Sequence, residues 1–245
     1  MGLNASVPAR VLLAVMMASG FIVVVYNTLH KQPLHSLQLG LLLALALVAS
    51  RFKVKLPGLS GNMSMNLPFI LIAMVELSLF EALVVALCST VAQCLTKPGS
   101  KPKPIQMLFN VSTMAVAVGL GGWISHYSLL AHGAWSSASF GLVLAGASFF
   151  LAQTIPVATI ISLTEGGRTL QIWCSIFHLA FPYYALSTSI TSMATSTGHH
   201  AGPQAPLLLL LVMFATYRSY RRYFSRGETS AARPLVLAKA AGAAD

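Results

Sequence analysis

The distribution of positive charge constrains this chain more than any other feature. Apolar runs fall near 11–29, 36–50, 67–80, 81–95, 105–127, 140–163, 171–194 and 207–217. Read as membrane segments with the N-terminus inside, they leave Arg10, Arg51, Lys53, Lys55, Lys97, Lys101, Lys103, Arg168, Arg218, Arg221, Arg222, Arg226, Arg233 and Lys239 cytoplasmic. Lys31 alone lies outside. Basic residues near span ends resist translocation and so set orientation. A wrong division of the chain would scramble a bias of this strength. The expected fold is an all-α integral membrane protein, a polytopic bundle of six to eight transmembrane helices with both termini cytoplasmic.

Composition agrees. The chain is 56% hydrophobic and 8% charged, with a mean hydropathy of +0.75, whereas about a quarter of the residues in a soluble domain are charged. A net charge of +10 raises nucleic acid as a partner. The basic residues sit instead in short loops beside apolar segments, with no aromatic-rich binding motif. The lipid bilayer is the expected partner, through anionic headgroups. Cys88, Cys94 and Cys174 all lie inside apolar runs, so neither a disulfide framework nor a metal knuckle is expected.

Residues 1–226 read as one membrane domain and 227–245 as a short disordered cytoplasmic tail. The first apolar run continues from Val11 to Leu29 without a small-x-small cleavage site, so it reads as an uncleaved span. Over 51–66, Phe52, Val54 and Leu56 alternate with Lys53 and Lys55, and Met63 and Met65 alternate with Asn62, Ser64 and Asn66. With Pro57–Gly61 as the turn, the period of two predicts an extended hairpin. Such backbone cannot face lipid, so it lies either at the cytoplasmic interface or packed inside the bundle. The runs 67–80 and 81–95 are shorter than the ~20 residues that cross ~30 Å of hydrocarbon. They form either two short spans or a re-entrant helical hairpin. Pro156 and Pro182 predict kinks within spans, and Glu165-Gly166-Gly167-Arg168 a tight inner turn.

Few residues offer chemistry. Of five acidic residues, only Glu76 lies well inside an apolar run, where an ionisable group costs a few kcal/mol and faces protein, water or ligand. Glu76, Asn110, Gln153 and His178 are therefore the candidates for a polar ligand cavity. Glu81, near the outer turn, suits the first turn of a helix and is expected to cap the hairpin. Histidine spacing matches no metal-ligand pattern, and no metal or cofactor is expected. No nucleophile elbow, zincin motif, P-loop or dinucleotide fingerprint occurs, so the chain does not read as an enzyme. Tyr217, Arg218, Tyr220, Arg221 and Arg222 form an aromatic and basic boundary where the last helix leaves the membrane.

Three stretches together carry a resemblance: Arg51-Phe52-Lys53-Val54-Lys55-Leu56-Pro57-Gly58, Lys103-Pro104-Ile105-Gln106-Met107-Leu108-Phe109-Asn110, and Phe181-Pro182-Tyr183-Tyr184 followed by Tyr217-Arg218-Ser219-Tyr220. Their order is similar to the membrane-associated sensor (MASE-type) domains that precede HD-GYP, GGDEF or histidine-kinase modules in bacterial cyclic-di-GMP signalling. The likeness spans about 51–226. It implies the bacterial inner (cytoplasmic) membrane, and a last helix that leads to an output module. No such module follows Gly227 in this sequence. The leading expectation is thus a freestanding sensory domain that binds a small or lipidic ligand and signals through a separate cytoplasmic protein. The alternative is a small-molecule transporter or the substrate-binding membrane subunit of an uptake system, because short, interrupted spans suit a midplane binding site.

Overall fold

At 1.5 Å per residue, a helix needs about 20 residues to cross ~30 Å of hydrocarbon. The computed structural model describes residues 7–30, 32–55, 62–95, 104–130, 138–201, 211–219 and 222. In chain order these form α1 (Val7–Leu29), α2 (Ser36–Ala49), β1 (Lys53–Lys55), β2 (Asn62–Ser64), α3 (Leu67–Glu76), α4 (Leu79–Leu95), α5 (Pro104–Leu130), α6 (Ala138–Glu165) and α7 (Thr169–Ala201). A further helical run covers 211–219. Val7–Leu29, Pro104–His126 and Phe140–Glu165 are each long and apolar enough to cross a membrane. The turn expected at Pro57–Gly61, the tail 227–245, Tyr220 and Arg221 lie outside the described residues.

The surface is that of a protein dissolved in lipid. Val11, Val15, Phe21 and Ile22 of α1, Leu120 and Trp123 of α5, and Val143 and Ile155 of α6 are all exposed. A water-soluble bundle turns such side chains inward, leaving a charged face outside. With hydrocarbon as the solvent, helices gain little from apolar contact and associate through close backbone approach. Gly20 supplies such an approach: a Cβ there would stand 2.8 Å from Ser112 Cα. Gly119 meets Val23 at the same distance. Because residue 20 pairs with 112 and 23 with 119, α1 and α5 run parallel.

α6 and α7 run antiparallel, joined by a turn in which Gly166 and Gly167 have φ of 83° and 102°. Side chains resist that region of φ, and Ser162 Oγ closes the turn by donating to the Gly167 carbonyl at 2.9 Å. Pro156 and Pro182 both lie inside these helices.

α3 is the centre of the bundle. Its residues from Leu67 to Met74 are all buried, against α2, α4, α5 and α7. Ten residues give about 15 Å of helix, half the hydrocarbon thickness. The hairpin precedes it in the chain. β1 and β2 pair antiparallel, with Lys53 opposite Ser64 and Lys55 opposite Asn62. Ser64, Met65 and Asn66 are buried, and they lead straight into α3.

Of the two locations open to the hairpin from sequence, its second arm takes the one inside the bundle. The reason is that its backbone finds protein partners there. Met65 N–H donates to the Phe52 carbonyl at 3.1 Å. Tyr183 donates its hydroxyl to the Ser64 carbonyl at 3.1 Å and accepts from Leu67 N–H at 3.3 Å. Non-helical backbone at membrane depth is tolerated where it is buried in protein or lines a water-filled cavity.

α4 starts with a reciprocal cap. Ser78 N–H and Oγ donate to Glu81 Oε2 at 3.0 and 2.8 Å, and Glu81 N–H donates to Ser78 Oγ at 3.4 Å. This satisfies donors that every helix start leaves open. Glu81 Oε1 also accepts from His35 N–H at 2.6 Å, which fixes the start of α2 to the start of α4. At the far end of α4, Lys53 Nζ donates to the Gln93 carbonyl. The hairpin arm and α3 therefore traverse the full length of α4 between them.

Candidate functional site

A pocket of about 140 Å³ opens where this extended arm becomes helix. Its polar lining comes from four places around that junction: Ser64 and Asn66 ahead of α3, Gln93 on α4, Gln153 and Thr154 on α6, and Tyr183 and Tyr184 on α7. Leu67, Ile70, Met114, Phe149, Val157, Ile176 and Ala180 complete it. Ser64 ends β2 and Asn66 is the residue before α3. The turn between them brings both side chains to the pocket, while Met65 joins the apolar core.

The polar groups are tied into two sets. In the first, Ser64 Oγ donates to Asn66 Oδ1 at 2.7 Å, Asn66 Nδ2 to Ser89 Oγ at 2.9 Å, and Ser89 Oγ to the Ala86 carbonyl at 3.0 Å. In the second, Tyr184 donates its hydroxyl to Gln153 Oε1. Beside it, Thr154 Oγ1 accepts from Trp173 Nε1 at 3.2 Å and donates to the Phe150 carbonyl at 2.7 Å. Tyr184 lies edge-on to Phe150, with ring centroids 4.7 Å apart. Ser89 and Thr154 anchor the two sets to helix backbone. Tyr183 lies fourteen residues on from Thr169, about 21 Å along α7, so the pocket sits well inside the bundle.

Of the four cavity candidates, the structure brings Gln153 alone into this pocket. Glu76 is exposed at the C-terminal end of α3, since the helix is too short to keep it at depth. Asn110 is exposed, with its amide 3.7 Å from Cys94 Sγ. His178 is also exposed, its Nδ1 2.8 Å from the Cys174 carbonyl one turn back. The inward stripe of α7 is Ile176, Ala180, Tyr183 and Ser187, at helical spacing, and His178 falls off it. Sequence reasoning missed Ser64, Asn66, Gln93, Tyr183 and Tyr184 as a group. The signal for the first two was the polar face of the predicted strand, and Tyr183 and Tyr184 stood in the Phe-Pro-Tyr-Tyr stretch.

The boundary residues at the C-terminal side form a second cluster. Phe52, at the foot of the hairpin, packs against Phe214 and Tyr217 at centroid distances of 5.7 and 5.5 Å. Arg218 and Arg222 are exposed beyond them.

No protein-family profile matches the chain, and no solved structure does. Two curated proteins match locally: uncharacterised MFS-type transporters of Mycobacterium tuberculosis, from strains CDC 1551 / Oshkosh and ATCC 25618 / H37Rv. Each is 32% identical over 144 residues, which is 56% of this chain and 33% of the transporter. The chain thus spans about a third of the length of the curated relatives it matches. These likenesses and the lipid-facing exterior agree on a membrane protein.

Proposed function

We propose that this chain is a small-molecule transporter, or the substrate-binding membrane subunit of an uptake system, in a bacterial inner membrane with both termini cytoplasmic. One observation carries this reading. The polar pocket lies at the break of a discontinuous span, where the strand ending at Ser64 passes through a turn at Met65 and Asn66 into α3. Broken segments of that kind recur at transporter binding sites, because unwound backbone can face a cavity but not lipid. The local likeness to MFS-type transporters adds support. Among the described residues the pocket lining contains no carboxylate, cysteine or histidine, which suits binding better than catalysis.

Purified protein in proteoliposomes tests this, with a defined panel of small neutral and charged metabolites and mass spectrometry of the lumen. At least one solute should accumulate over time, and Tyr183→Phe should slow it. Absence of accumulation across the panel, with or without an energised membrane, sinks the transport reading.

One further observation favours a second reading, a sensory domain that signals through a separate cytoplasmic protein. Phe52 joins the foot of the hairpin to Phe214 and Tyr217, so a pocket occupant touching Ser64 has a packed route to the last helix. A ligand moves that helix only by its difference in affinity between two states. Such a protein would bind its ligand and accumulate nothing.

A further inference from the structure

The pocket's unmatched groups define its occupant. Gln153 accepts from Tyr184 through Oε1, which leaves its Nε2 with no hydrogen bond among the described residues. The Gln93 side-chain amide likewise makes none, although its main-chain carbonyl holds Lys53 Nζ. Both side chains line the pocket. Whichever way each amide is turned, the cavity is offered donors and acceptors together. In a low-dielectric site these groups lose free energy unless something pairs with them.

Three exclusions follow. Among the described residues no Lys, Arg, His, Asp or Glu lines the pocket, so an ionised solute would lie there without a counter-charge from them. A purely apolar solute would leave both amides unpaired. A volume of about 140 Å³ admits a single ring, as a cavity on the order of 150 Å³ holds benzene. The Phe149 side chain and the Tyr184 ring, 6.2 Å apart, supply the aromatic wall that a flat solute stacks or abuts.

We infer that the pocket takes an uncharged, single-ring solute with an amide-like edge, a donor and an acceptor side by side. This assignment rests on the reading of the pocket as a solute site, and it adds the class of solute. The competing claim comes from Lys53, whose ammonium at the Gln93 carbonyl could instead draw in an anion.

Isothermal titration of the purified full chain in nanodiscs decides between them. The probes are uracil and 2-pyridone as neutral lactam rings, orotate as the anionic counterpart of uracil, and benzene as the apolar ring. Uracil and 2-pyridone should bind in competition with each other and at least tenfold tighter than orotate or benzene. Gln153→Leu and Gln93→Leu should each weaken uracil tenfold or more and leave benzene unchanged. The probe comparison on unaltered protein stands even where a variant misfolds. Orotate binding as tightly as uracil overturns the assignment. Benzene matching uracil, or no uracil binding at all, overturns it equally.

The same probes in proteoliposomes separate this inference from the transport reading. Uracil that binds but does not accumulate removes transport and leaves the solute class standing. Orotate that accumulates while uracil does not removes the solute class and leaves transport.

Discussion

Tyr183 shows how much one side chain can hold in a lipid-dissolved fold. Its hydroxyl satisfies the Ser64 carbonyl and the Leu67 N–H, the two backbone groups at the strand-to-helix junction. Tyr183→Phe removes both bonds and keeps the ring. Leaving buried backbone groups unsatisfied costs about 1–3 kcal/mol, so the thermal midpoint in detergent should fall clearly. Ser78→Ala should cost less, about 0.5–2 kcal/mol, because it removes only the cap of α4. A Tyr183→Phe protein as stable as the parent would mean that water replaces the hydroxyl. Glu81 was legible as a capping residue because an acidic group suits the first turn of a helix, which is a local property. Glu76, Asn110 and His178 were not placeable, since which side of a helix turns inward depends on neighbours that the sequence does not reveal. Gln153 lines the pocket together with residues of the hairpin, α4 and α7 that the sequence does not group with it.

At the scale of the element, small residues set which helices touch. An added Cβ at Gly20 would meet Ser112 Cα at 2.8 Å, and main chain cannot yield as a flexible side-chain end can. Gly20→Ala should therefore push α1 from α5 and destabilise by about 1–3 kcal/mol, the usual range for overpacking. Gly40 has nothing within 4 Å of the same position. Gly40→Ala should be neutral or stabilise by up to ~1 kcal/mol from helix propensity. Thermal melts of the two variants side by side check the pair. The spans themselves were legible as apolar runs, and the hairpin as a period of two. Its depth was not legible, because depth is fixed by Tyr183, 119 residues further along the chain.

For the whole molecule, the helix directions place charged residues at a common end. Arg10 is near the start of α1, which runs parallel to α5, and Arg168 follows α6, which returns from α5. Arg51 follows α2, whose start meets the start of α4 through His35 and Glu81. Single cysteines at Arg10, Arg51 and Arg168, in a background lacking the native thiols, should react with an impermeant maleimide from one side of sealed vesicles. A cysteine at His35 should react from the other. Labelling of Arg51→Cys and Arg168→Cys from opposite sides would contradict the antiparallel course of the bundle.

The broken span also has a consequence for how the polypeptide is made. While the ribosome is still short of α7, the stretch from Lys53 to Leu77 has emerged without the phenol that completes its junction. It is too short as a helix to enter the bilayer unaided, and too apolar to remain at ease in water. The junction is therefore expected to close only after α7 is made, so nascent chains truncated before Tyr183 should be cut by protease near 64–67 more readily than the complete polypeptide.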